Sequence, residues 1–420
     1  MPRYKIEKPV LFDGRFDVAR TKENDTMLRK KITLRALAMA LVLVLCALAL
    51  AGCSATNPNA TVLLVGDIKV GMTKYYSLYN SYKSMYSSYG IYDISTAKQF
   101  QAFQDLVFNY LVESYLPLYW AKQNGVTLTA EEEAQVQADF EKELNGYLDG
   151  YKADVEESVT DEEAIRKEEL RLFKKDLRGG GWTYKEYTDL MLENIRGSAI
   201  AKKFMEGIYA ERVSVTDDDV KAHYDELLAE QRETYAETPE QYYTDYLAYK
   251  DSGAQQPLVA PEGYRFVKHI LVKSAEKDET KDVDAIVAEI QAKIEAGEDF
   301  NELMKEYTED VDANGDPNYP DGYLISAATV DKYDDAFAVA AMALKSVGDV
   351  SVPVESTYGY HIILYAGDVS TEPLVYDDVK EAMKETMINE AKAAVYNELL
   401  EQWEADTKIV KYYNRVSAVR

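Results

Sequence analysis

The sequence is poor in the residues that most metal and covalent chemistry relies on. It has three histidines and two cysteines in 420 residues, and both cysteines, Cys46 and Cys53, fall in one N-terminal stretch. Beyond Cys53 no thiol remains for a disulfide, a cysteine nucleophile or a thiolate-bound zinc ion. Positive charge is also short: 47 Lys and Arg stand against 74 Asp and Glu, a formal charge of −27. Nucleic-acid binding is excluded on this ground, because neutralising a phosphate backbone needs a basic surface. Apolar residues are not short, at 47% of the chain. That is enough for two or more packed domains.

The strongest local pattern is MLRKKITLRALAMALVLVLCALALAGC, in which Arg29, Lys30, Lys31 and Arg35 precede an apolar run from Ala36. Basic, apolar and small residues in that order make a secretory signal. Leu50-Ala51-Gly52-Cys53 resembles the lipobox of bacterial lipoproteins. The resemblance implies a signal peptide over 27–52, lipidation of Cys53 and anchoring at the outer face of the cytoplasmic membrane; a plain signal or a transmembrane anchor is the alternative. Residues 1–26 read as a non-structural extension and 53–60 as a tether. Ten basic and five acidic residues precede Cys53, so the chain from Cys53 onward keeps 37 against 69, a net −32.

Residues 61–235 are expected to form a mostly helical domain. Thr129 is placed to cap a charged helix, and Gly179-Gly180-Gly181 is a break. Tyr75, Tyr79, Tyr82, Tyr86 and Tyr89 share one helical face, read as core in preference to an adaptable client-binding surface. Turn formers and scattered tyrosines over 236–261 read as a linker. A second domain, 262–368, opens with the apolar strand YRFVKHILV and closes on two strands, with helical stripes between them, an α+β pattern. Residues 371–410 form a long helix that needs a partner for its apolar face, expected to be the N-terminal helical region. His223 reads as a surface residue. Asp310, Asp312, Asn314, Asp316 and Asp321 imitate a calcium loop, but Pro317 and the missing exit helix count against one, so no metal is expected.

KHILVKSAEKD, GEDFNELMKEYTED, AAMALKSVGDVSVPV and YGYHIIL, all in the second domain, resemble the parvulin family of peptidyl-prolyl isomerases. With the flanking helices and the lipobox, the whole is similar to PrsA-type and SurA-like foldases, in which a helical chaperone domain is completed by a C-terminal helix and carries an inserted parvulin domain, an antiparallel sheet flanked by helices. The resemblance implies an active-site network of His269, His361, the acidic Asp310 and a hydroxyl from Thr357 or Tyr358, with Tyr358 taken as the site residue. It implies a proline pocket at Leu324, Tyr333 and Phe337, with Met342 behind. No cofactor is implied. The implied partners are newly exported polypeptides with Xaa-Pro bonds; a homodimer stays open. The chain departs from the family at NGDPNYPDGYLI, where many parvulins carry a glycine-rich turn. This leaves a non-catalytic holdase as the rival reading, with a calcium-responsive adhesin behind it.

Overall fold

A computed structural model describes residues 60–419, apart from 89, 91, 156–158 and 275–281, together with the pair Val10–Leu11. The signal peptide, Cys53, the tether up to residue 59 and Tyr89 lie outside the described residues. No described helix is long and apolar enough to cross a membrane. The chain divides into two compact units, one made of the residues up to Ser214 with Ile388–Arg420, the other of Val215–Met387.

The first unit draws on both ends of the chain. Strand β1 (Thr61–Val65) lies between β2 (Ile68–Gly71) and a late strand, Ile409–Lys411, in an antiparallel sheet where Leu64 faces Val410. Helices α1 (Met72–Ser88), α2 (Ala97–Gln123), α3 (Ala130–Asp149), α4 (Glu162–Gly179) and α5 (Tyr184–Arg212) follow. Thr96, Thr129 and Thr183 cap three of them with the reciprocal side-chain and backbone bonds of a capping box. Tyr75 and Tyr79 of α1 are fully buried against Phe108 and Phe103 of α2, while Tyr82 and Tyr86 pack at the margin. Val395, Leu399 and Trp403 from the C-terminal helix complete the same core. Each large apolar side chain so buried contributes roughly 1.5–3 kcal/mol.

The second unit is α+β. Helices α6 (Asp217–Glu237) and α7 (Glu240–Ser252) lead into β3 (Arg265–Lys273), α8 (Val283–Glu295), α9 (Phe300–Tyr307), β4 (Tyr323–Ile325), α10 (Asp335–Ala343), β5 (Val354–Ser356) and β6 (Gly359–Asp368). The sheet order is β4-β3-β6-β5, all antiparallel. Ile270, Val272 and Ile362 project from one face onto α8 and α9; Val267, Ile363 and Ile325 project from the other onto α10. Helix α11 (Tyr376–Asp406) follows, ahead of the strand Ile409–Lys411, and the boundary between the units falls within it.

Two expectations are corrected here. Residues 240–252 form a helix inside the interval read as a linker, ended by Gly253 in the left-handed region at φ 65°. Its pattern is weak because it is tyrosine-rich on several sides, and packing of Tyr242 on Tyr235 and Tyr264 holds it. The second unit also begins earlier than 262. The Leu258 backbone amide donates to the buried Gln231 side-chain oxygen at 2.7 Å, and Tyr224 donates to the Leu374 carbonyl at 2.6 Å, so α6 packs with the sheet-bearing unit.

Candidate active site

The two strand histidines meet because of register. Leu271 of β3 stands opposite His361 of β6, and His269 opposite Ile363, so the imidazoles are diagonal neighbours on the α10 face. Their Nδ1 atoms are 2.9 Å apart, and both side chains are buried. His269 Nε2 lies 2.9 Å from Asp310 Oδ2. That carboxylate also receives the Tyr323 hydroxyl and, at 2.7 Å, the Asn318 amide. These donors, His269 foremost, hold the Asp310 carboxyl well below the usual carboxylate range in spite of its partial burial. Asp310 is therefore an ionised acceptor.

At the other end, Ser356 Oγ is 2.7 Å from His361 Nε2 and 3.2 Å from the Gly359 carbonyl. Burial, reinforced by the neighbouring His269, lowers the pKa of His361 to about 4, so this imidazole is uncharged at neutral pH. The contacts run without a break from Ser356 through His361 and His269 to Asp310, at 2.7, 2.9 and 2.9 Å, so every polar atom along the line has a partner.

An aromatic wall stands over the chain. Phe337 of α10 lies 5.4 Å and 5.2 Å, centroid to centroid, from His269 and His361. Tyr323 is 5.1 Å from His269, and Tyr333 lies 5.7 Å from Phe337. Asp334 fixes this wall, capping α10 through Ala336 N at 3.0 Å and accepting the Thr357 hydroxyl at 3.0 Å.

The structure thus brings together His269, His361, Asp310, Tyr333 and Phe337, with Met342 packed behind the wall. It does not bring in Tyr358, whose side chain is 64% exposed, and Thr357 is engaged with Asp334. The hydroxyl on His361 belongs to Ser356. Strands β5 and β6 form a hairpin with Thr357 and Tyr358 as its two-residue loop, and Ser356 pairs with Gly359, which puts Ser356 on the histidine face. Leu324 is a second correction. Tyr323 pairs with Val267 and shares the face of His269, while Leu324 pairs with Phe266 and packs on the opposite side against Tyr242 and Tyr264. A one-residue step along a strand reverses the face. In the atypical turn, Asn318 and Tyr323 turn toward Asp310, and Asp312 Oδ1 accepts the backbone amides of Asn314 and Asp316 at 2.8 and 3.0 Å. Among the described residues no group of three or more His, Cys, Asp or Glu is disposed to hold a metal.

Residues 269–366 match the rotamase family of PPIC-type peptidyl-prolyl isomerase domains. The chain carries a parvulin-type rotamase domain. The chain is similar to the foldase protein PrsA of Clostridium botulinum strain Langeland, with 25% identity over 265 residues, 62% of this chain and 64% of that one. The PrsA of Caldanaerobacter subterraneus is 27% identical over 57% of this chain and 77% of its own. The match spans less than two thirds of the length of the first of these. A crystal structure of PrsA from Bacillus subtilis aligns over 83% of this chain and 93% of that one, at 18% identity and a TM-score of 0.23.

Proposed function

We propose that the protein is a foldase of exported polypeptides, anchored through Cys53 at the outer face of the cytoplasmic membrane, and that its rotamase domain catalyses cis/trans isomerisation of Xaa-Pro bonds. The observation that carries this reading is the continuous chain Ser356–His361–His269–Asp310 beneath the Phe337 wall. Isomerisation breaks no bond; it has to lower a rotational barrier of ~18–20 kcal/mol set by the partial double-bond character of the amide. An apolar wall of Phe337, Tyr323 and Tyr333 holds the proline ring out of water. The polar chain below it is already oriented, so it stabilises the twisted amide, in which carbonyl and nitrogen no longer share resonance, without reorganising. No proton has to be removed from the substrate, and the reaction calls for no cofactor. Uncatalysed exchange takes ~10–100 s, long enough for an unfolded chain to aggregate. The helical unit shielding such a client serves the same end.

The test is cis/trans exchange in Xaa-Pro peptides, read by NMR line exchange with the full chain. Asp310→Ala and His361→Ala are expected to lower the rate by about 10²-fold, the loss typical when a preorganised polar contact is removed. A folded wild-type protein that leaves exchange at its spontaneous rate would instead assign the rotamase domain a purely peptide-binding role.

A further inference from the structure

Helix α7 precedes the rotamase domain in sequence, and it places one side chain at the edge of the aromatic wall. The hydroxyls of Tyr243 and Tyr333 are 3.3 Å apart, and their rings meet edge to face at 6.3 Å and 79°. Tyr333 is itself fixed, since its hydroxyl donates to the Leu324 carbonyl at 2.6 Å. On the far side of the wall Tyr319, 45% exposed, lies 4.4 Å from Tyr323. Tyr319, Tyr323, Tyr333 and Tyr243 thus continue from the histidine pair out to the surface. Tyr243 is half-buried, and α7 cannot move it freely: Tyr242 packs on Tyr264 at 4.8 Å, Tyr264 donates to the Pro239 carbonyl at 2.9 Å, and Tyr246 lies on Phe266 at 5.9 Å.

We propose that Tyr243 is a specificity-determining residue, the outer ring of a subsite that receives an aromatic side chain next to the substrate proline. Rings already held edge to face present both a quadrupole face and a positive edge to a further ring, and they pay little entropy on binding because packing has fixed them. An alanine in that place would leave the wall uncovered. A carboxylate there would meet the negative faces of the phenol rings. The proposal rests on the isomerase reading for where the proline sits, and its test is built to fail separately from that reading.

Peptides differing only by Phe or Ala before the proline, and a second pair differing likewise after it, are titrated into the full chain, and affinity is read from imidazole and peptide NMR shifts. Exchange rates are recorded in the same samples. Wild type is expected to bind one Phe peptide about three- to tenfold more tightly than its Ala counterpart, the span of one good aromatic pair. Tyr243→Ala abolishes that ratio while leaving the Ala peptides unaffected; Tyr243→Phe keeps it. Tyr246→Ala, which removes packing on Phe266 without touching the wall, serves as the control for loosening of α7 and keeps the ratio. Equal affinities for Phe and Ala peptides in wild type, or an unchanged ratio in Tyr243→Ala, overturns the proposal. Absence of exchange catalysis with the ratio intact overturns the isomerase reading and leaves the subsite standing.

Discussion

Two effects act in one direction on the His361 imidazole. Burial at 4% exposure strips solvent from the charged form, and His269 repels it; Asp334 and Asp310 pull the other way without overcoming burial. A histidine whose folded pKa is about 4 and whose unfolded pKa is about 6.5 binds fewer protons folded than unfolded between those values. Stability from this group is therefore complete above about pH 6.5 and falls as pH drops toward 4, by up to about 3 kcal/mol. Asp310, held low in the folded state, adds its own loss only below about pH 4. The chain has only three histidines, His223, His269 and His361, so imidazole resonances can be assigned one variant at a time. A His361 midpoint near 4, and a urea midpoint that declines from pH 7 to 4 in wild type but much less in His361→Gln, are the expected results. A His361 midpoint near 6.5 would mean that the imidazole is solvated and the chain of contacts is broken.

The β5–β6 hairpin is the element that assembles this site, and Gly359 is its hinge. Its φ of 136° is a region side chains rarely adopt, and a Cβ there would come within 2.2 Å of the Val272 carbonyl oxygen. Because the obstacle is backbone of the neighbouring central strand, the ladder would have to part. Gly359→Ala is expected to cost roughly 2–4 kcal/mol, read as a lowered urea midpoint with scattered His269 and His361 resonances. A change within about 0.5 kcal/mol would show that the strand end gives way freely. Strand parity also explains what was and was not legible in the sequence. His269, Asp310 and His361 sit in recognisable motifs, and the apolar stripes of α8 and α9 announce themselves by period. Ser356 and Tyr323 required the register: which of two adjacent residues faces the histidines depends on the partner strand, and short strands of three residues carry no alternation long enough to read. Helix α7 was hidden for another reason. Its tyrosines bury against Tyr235, Tyr264 and Phe266, and without those neighbours the segment shows no apolar stripe.

At the scale of the whole molecule the dominant quantity is charge. A small part of the acidity is structural: Glu131, Glu132 and Glu133 open α3, and Asp217, Asp218 and Asp219 open α6, where carboxylates complement the helix dipole. The net −32 from Cys53 onward sets up a long-range field. On the proposed foldase reading, clients that are unfolded and unspecific in shape leave little beyond field and apolar contact with which to gather them. Basic unfolded chains are therefore expected to be captured faster and held better than acidic ones. The measurement is suppression of aggregation of a basic and an acidic reduced protein, compared as salt rises from about 20 mM to about 500 mM, which shortens the screening length from roughly 20 Å to roughly 4 Å. Protection of the basic client should weaken steeply with salt, and protection of the acidic one should hold or improve as repulsion is screened. If both respond alike, apolar contact alone gathers clients, and the acidic surface serves solubility.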